Sequence, residues 1–176
     1  MRLLLKMVSV MALVAANSAA YGATNYVFGD YKNQMSGHIG VSMRSRFEAL
    51  YTAEIQYSQP TTFFRMAARQ NLEFITARGS GNRTKYNQPG ILGVSQDAFL
   101  FQNPRLYVGA GLGAYIKSRA TDRISSKFTF GEKLFLGVKL SDNTAAEVFV
   151  RHFSNGRLTD DNTGQNFLGM SLSYNF

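Results

Sequence analysis

Along most of this chain apolar side chains fall on every second residue, and the positions between them hold charges, glycines or hydroxyls. In Leu106 to Ile116 the stripe Leu106, Val108, Ala110, Leu112, Ala114, Ile116 is unbroken, with Tyr107, Gly109, Gly111, Gly113 and Tyr115 opposite. Successive side chains of a strand take opposite faces, so a period of two sustained from segment to segment, with no amphipathic helix between, specifies an all-β chain. The charges then choose between kinds of β protein. Arg65, Arg69, Glu73, Lys133, Lys139, Glu147 and Arg151 all lie on faces opposite apolar stripes. A dry sandwich core of such residues is costly, whereas a transmembrane barrel turns its apolar stripes to lipid and pairs its charges in a polar lumen. A soluble lipocalin-like barrel is the competing architecture, and those inward charges weigh against it.

In chain order, the odd positions from Ile39 to Tyr57 are mostly apolar, and Gln59-Pro60-Thr61 reads as a break. From Thr62 to Thr76 the phase shifts, with Phe64, Met66, Ala68, Leu72 and Phe74 on one face and Arg65, Arg69, Asn71 and Glu73 on the other. Gln88 to Phe101 alternates less cleanly, with Leu92, Val94, Ala98 and Leu100 able to share a face. Phe128 to Leu140, Ala145 to Asn155 and Asn166 to Phe176 complete the secure strands. Turns at Gln102-Asn103-Pro104 and Ser141-Asp142-Asn143 are short. The segments Gly79 to Asn87, Ser118 to Ser126 and Asn155 to Gln165 are long and polar. Short turns on one side and long loops on the other, with an aromatic last residue, fit an eight-stranded antiparallel up-and-down barrel. An even strand number requires Asn25 to Ser58 to supply two strands, the first either Asn25 to Lys32 or one starting near Gly37.

The first 22 residues carry Arg2 and Lys6, an apolar run from Met7 to Ala16, then small residues at Asn17-Ser18-Ala19-Ala20. This is the layout of a secretory signal peptide, cleaved after Ala20 or Gly22, and the run is shorter than the about 18 apolar residues that span a membrane. Residues 1–22 are therefore expected to be a signal peptide and residues 23–176 an outer-membrane barrel. An exported chain makes little use of its net charge of +8 for nucleic acid. Cysteine is absent and there are two histidines, which excludes thiolate and multi-histidine metal sites; no metal or cofactor is expected.

One strand departs from the pattern. In Ala145 to Asn155, Val148, Val150, His152 and Ser154 share the lipid-facing side, opposite Glu147, Phe149, Arg151 and Phe153. Two polar groups on an apolar face are expensive without a task, and a base two residues from a hydroxyl is the neighbourhood a nucleophile needs. A three-residue loop at Ser141-Asp142-Asn143 matches Leu140 with Thr144 and hence Glu132 with His152; a slip of two would bring Glu132 beside Ser154. Asn166, at the outer start of the last strand, is on the same face. The outline is a triad: Ser154 attacks, His152 takes its proton, and Glu132 or Asn166 holds the imidazole. Backbone N–H groups near Asn155 and Gly156, or the Asn162 side chain, are the candidate oxyanion donors. His38, near the start of the barrel, reads as structural.

At these residues the sequence resembles the lipid A 3-O-deacylase family, PagL-like outer-membrane barrels that remove an ester-linked acyl chain from lipid A. The similar segments are PRLYVGAGLGAYI (Pro104 to Ile116), FGEKLFLGVKL (Phe130 to Leu140), RHFSNG (Arg151 to Gly156) and NTGQNF (Asn162 to Phe167). The resemblance implies His152 as base, Ser154 as nucleophile and Asn162 at the oxyanion site. It departs at Asn166, where the family pattern has glutamate, so either Asn166 orients the histidine without charge or Glu132 supplies the carboxylate. It also implies lipid A or lipopolysaccharide as substrate among outer-membrane lipids, and the basic residues Arg78, Arg83, Lys85, Lys117, Arg119, Arg123, Lys127 and Arg157 in the outer loops suit its phosphates. A homodimer is left open by the sequence. The reading from another class is a non-catalytic small barrel used for adhesion, structure or lipid binding.

Overall fold

The computed structural model describes residues 24–43, 49–79, 88–121, 123–159 and 162–176; the expected signal peptide lies outside them. Eight antiparallel strands close into a barrel in sequence order: β1 (Gln34–Met43), β2 (Leu50–Phe63), β3 (Met66–Gly79), β4 (Gln88–Gln102), β5 (Leu106–Lys117), β6 (Phe128–Lys139), β7 (Thr144–Ser154) and β8 (Gln165–Asn175). Closure is made by β1 against β8, from Gln34 opposite Asn175 to Met43 opposite Asn166. No strand is left with a bare edge, which is what allows a sheet to stand in hydrocarbon.

The alternation sorts the two faces as expected. Ile39, Ile55, Leu92, Val94, Ile116, Leu136, Val148, Met170 and Leu172 are exposed on the outer wall, a band far too apolar to face water. Inside, Arg69, Lys133 and Arg151 meet Glu54, Glu73, Asp97 and Glu147, all buried. Arg69 donates to Asp97 at 2.8 Å and forks onto both oxygens of Glu147 at 2.7 and 3.0 Å. Lys133 Nζ lies 2.7 Å from Asp97, and Arg151 forks onto Glu54 at 2.7 and 3.2 Å while its Nη1 lies 3.1 Å from Glu73. The Tyr107 and Tyr115 hydroxyls donate to Glu147 and Glu73. His38 is buried in the same lumen, 3.9 Å from Glu54, in line with a structural role.

Two apolar clusters bracket this polar middle. Val27, Phe28, Ala67, Phe99, Tyr107, Phe135, Ala145 and Phe149 fill the short-turn end; Leu50, Ile75, Ile91, Tyr115, Ile124, Phe153 and Phe167 lie towards the long-loop end. Rings this large fit a narrow cylinder because glycines face them. A Cβ at Gly93 would stand 2.0 Å from the Tyr115 ring and one at Gly137 2.1 Å from that of Tyr107.

Several local expectations are corrected. Asn25 to Lys32 is no strand: it forms turns that drive Val27 and Phe28 into the barrel base, tied by the Asn175 amide donating to Val27 O at 2.7 Å. Pro60 does not break the chain but lies within β2, at a stretch that β1 has already left, since the β1 pairing ends at Ser58. A residue without an N–H is accommodated on such a free side. The reversal comes later, at Phe64 and Arg65, with φ of 46° and 68°; two successive left-handed residues make the two-residue hairpin turn that matches strand twist. Arg65 is thus exposed in a turn rather than in the lumen, and Lys139 reaches the base rim, donating to Tyr26 O at 3.0 Å. A register shift between Phe99 and Phe101 explains the blurred alternation of β4.

Because Arg69 joins two carboxylates that would otherwise lose their shared cation, Arg69→Ala should destabilise the barrel by about 3–5 kcal/mol. Urea unfolding in phospholipid, followed by tyrosine fluorescence, reads this. The double variant Arg69→Met with Glu147→Gln should recover part of the loss, and an unchanged midpoint for Arg69→Ala would refute the assignment.

Candidate active site

The register places one polar row across the outer wall. Glu132 of β6 lies opposite His152 of β7, and His152 opposite Asn166 of β8. This is the pairing expected from the Ser141-Asp142-Asn143 loop, where Leu140 N donates to Thr144 O at 2.8 Å. His152, Ser154 and Glu132 are half-buried and Asn166 is exposed, all on the exterior face. The neighbouring row towards the short turns is Leu134, Val150 and Leu168, which are exposed and apolar. The polar groups therefore stand on top of a hydrocarbon-facing wall, towards the long-loop end.

His152 Nδ1 lies 2.5 Å from Asn166 Oδ1. An amide oxygen only accepts, so Nδ1 is the donor in this contact and Nε2 is the nitrogen turned away from Asn166. The ring is confined from a second side. A Cβ at Gly164 would stand 2.5 Å from His152 Cε1 and 3.2 Å from Nε2, and the φ of +69° there is one a glycine adopts without strain. Gly164 was not singled out in the sequence; its place in Asn162-Thr163-Gly164, just before the strand that holds Asn166, is the one signal that could have found it.

Ser154 is two residues further along the same face, roughly 6.6 Å from His152 between Cα atoms for strand geometry. Its cross-strand neighbour is Phe130, whose ring packs edge-on against Phe128 with centroids 4.9 Å apart. The loop after Ser154 turns at once through Gly156 and Arg157, with φ of 63° and 67°. Buried Asn155 holds that turn: its Oδ1 accepts from Arg157 N at 2.9 Å and its Nδ2 donates to Thr159 Oγ1 at 2.5 Å.

The oxyanion candidates are separated by this geometry. Asn155 N–H donates to Asn162 Oδ1 at 2.9 Å, so that backbone donor already has an acceptor in this structure. The same bond fixes which end of the Asn162 amide points back to the chain and leaves its Nδ2 as a donor. Asn162 also bridges to Ile124, and Thr163 N donates to Arg123 O at 3.0 Å, which ties the last loop to the loop before β6. Of the outer-loop cations, Arg83 and Lys85 lie outside the described residues. Lys117 is buried in the barrel mouth, not displayed in a loop, because it continues the inward face of β5.

A row of this kind sets an imidazole and a hydroxyl on one lipid-facing strand face. Comparisons with known proteins bear on the family and on the fold. A model of the lipid A 3-O-deacylase (PagL) family matches residues 46–175. Lipid A deacylase PagL of Bordetella bronchiseptica is 33% identical over 75 residues, 41% of this chain and 42% of that protein, so the chain spans about two-fifths of the length of the curated relative it matches. The crystal structure of the outer membrane enzyme PagL is similar with a TM-score of 0.55 and 14% identity, covering 80% of this chain and 98% of the other. Neisserial surface protein A is similar with a TM-score of 0.51 and 13% identity, covering 83% and 97%. At such identities these two structures support the barrel fold alone.

If Gly164 and Asn166 together confine the ring, ¹⁵N spectra of His152 should show a single tautomer protonated at Nδ1. Gly164→Ala should convert this to exchanging tautomers, as Asn166→Ala does, with the barrel weakened by no more than about 1–3 kcal/mol for the left-handed backbone. A single Nδ1–H tautomer persisting in Gly164→Ala would remove Gly164 from the site.

Proposed function

The chain belongs to the lipid A 3-O-deacylase family, and from that membership we propose that it is an outer-membrane serine esterase, exported by its signal peptide, that hydrolyses the 3-O-linked acyl ester of lipid A. The observation that carries the reading is the exterior row, in which His152 is held at Nδ1 by Asn166 on the lipid-facing side of the wall, beside Ser154. A lumen-facing pair could not meet a lipid. With the long loops outside the cell, this row stands at the depth of the outer leaflet, where the ester of a membrane-embedded lipid comes to it and the polar head stays in water.

Each step has a group for it. Nε2 of His152 takes the proton of Ser154 Oγ as that oxygen attacks the acyl carbonyl. The tetrahedral oxyanion is met by Asn162 Nδ2 and the Gly156 N–H, the donors left once Asn155 N–H is paired. The imidazolium returns its proton to the sugar oxygen as the C–O bond breaks, leaving an acyl-enzyme. Water, deprotonated by the same nitrogen, then attacks the acyl carbonyl, and its proton goes back to Ser154 as the fatty acid leaves. The Phe128–Phe130 pair beside Ser154 offers apolar surface for the departing chain.

Asn166 in place of an acid has a definite cost. An amide fixes the tautomer as a carboxylate does, but it lends no charge to the imidazolium. Glu132, in the adjacent cross-strand position, supplies that charge at a distance of roughly 5 Å, the ordinary spacing of such neighbours. Arg119, Arg123, Lys127 and Arg157 belong to the loops above, and such cations suit the phosphates of the head group.

Purified protein incubated with lipopolysaccharide should release a 3-hydroxy fatty acid, read by mass spectrometry. Ser154→Ala should lower the rate by at least about 10³-fold, and undiminished release would dismiss Ser154. Asn166→Ala should lower kcat about 10²-fold or more with KM nearly constant, because the ring loses its tautomer. Glu132→Gln should cost about tenfold or less, as one unpaired neighbouring charge in a half-wet site. The reverse ranking would make Glu132 the orienting group. Asn166→Glu should raise the rate above wild type.

A further inference from the structure

We propose that the long-loop mouth of the barrel is a second ligand site, distinct from the exterior row, which takes the carboxylate and first methylenes of an unbranched fatty acid. Inside the rim lies a small cavity of about 50 Å³, whose walls include Leu50, Ile91, Ile124, Phe153 and Phe167. Lys117 and Gln165 project into it. These two side chains are what make the cavity more than a gap under the loops.

Lys117 is buried, and its ammonium donates to Ile124 O at 2.9 Å. Among the described residues no carboxylate pairs with it, in contrast to Arg69, Lys133 and Arg151 deeper in the lumen, each of which meets acids. An uncompensated buried ammonium is costly, and an anion removes the cost. Gln165 is only 7% exposed, and its Nε2 has no hydrogen-bond partner among the described residues. Buried polar groups are normally satisfied, so an idle donor beside an unpaired cation points to a missing acceptor. Arg123 also lines the cavity.

Lys117 and Gln165 offer donors to this space while most of its lining is apolar, which narrows the chemistry of the occupant. A divalent metal finds no ligands there. Inorganic phosphate or a sugar phosphate would satisfy Lys117 and leave the apolar walls facing a charge. A monocarboxylate with a linear tail satisfies both: its two oxygens accept from Lys117 and Gln165, and its methylenes lie against Ile91, Ile124 and the phenylalanines.

The cavity and the exterior row share one strand's thickness of wall. Phe153 lies between His152 and Ser154 and pairs with Gln165, which precedes Asn166. Thr129, also lining the cavity, donates to Ser154 O at 2.8 Å. The hydrolysis proposed above liberates an acid of the kind the mouth accepts, so it would supply the occupant. The binding itself requires no turnover, and the experiment is arranged accordingly.

Ser154→Ala protein in phospholipid nanodiscs, ¹³C-labelled at isoleucine δ1 methyls, is titrated with decanoate. Ile91 and Ile124 report the cavity, while exposed Ile39, Ile55 and Ile116 report partitioning into the bilayer. Saturable shifts are expected at Ile91 and Ile124, against linear drift at the outer three. Lys117→Met should weaken the saturable phase at least tenfold, and Gln165→Ala severalfold should Lys117→Met fail to fold. 1-Decanol should move the outer methyls only. The proposal is overturned if Ile91 and Ile124 merely follow the outer methyls, if decanol or inorganic phosphate saturates them as well as decanoate does, or if neither variant weakens binding.

Discussion

The charge network across the lumen is the constraint from which the rest follows. Three cations and four carboxylates cannot be left in a dry space unpaired, and here they are interlocked, Arg69 with Asp97 and Glu147, Lys133 with Asp97, Arg151 with Glu54 and Glu73. Once the charges are committed inward, the side chains between them must face outward, and strand periodicity leaves no third option. The apolar exterior is thus the counterpart of the ionic interior. It also makes any polar residue on the outside conspicuous, which is why His152, Ser154 and Asn166 stand out.

That logic explains how much could be read before any coordinates. The barrel, its strand number and the exterior placement of His152 and Ser154 were legible because they rest on alternation, on the charges between the apolar stripes and on the even strand number that closure needs. The Glu132–His152 register was legible because a three-residue connection fixes pairing for a whole hairpin. What escaped were features set by partners distant in the chain. Pro60 looks like a break until one knows that β1 begins only opposite Ser58 and leaves that side of Pro60 unpaired. Asn25 to Lys32 looks like a strand because Val27 and Phe28 are strand formers, yet they are held in turns by the space at the barrel base. Lys117 looks like one more loop cation until β5 is seen to carry it inward. Gly164 carries no chemistry of its own and matters only through the ring it lies against.

The site itself illustrates a division between orientation and charge. Asn166 contacts Nδ1 of His152, Gly164 lies against the ring, and Glu132 stands on the other flank. In the proposed mechanism, orientation and charge, which a single carboxylate would combine, fall to residues on two strands. Loop geometry adds a further separation: Asn155, buried and bonded through side chain and backbone, shapes the turn, so that the Asn162 amide is presented in a fixed sense.

The base of the barrel joins the two ends of the chain. Asn33 N donates to Phe176 O and Phe176 N to Asn33 O, while Asn175 reaches Val27 O. The seam between β1 and β8 pairs strands that lie far apart in sequence, so it is a non-local contact that the intervening strands must first bring within reach. Until β8 docks, the sheet has two bare margins. Asn166 belongs to β8, so its contact with His152 exists only once that strand is paired.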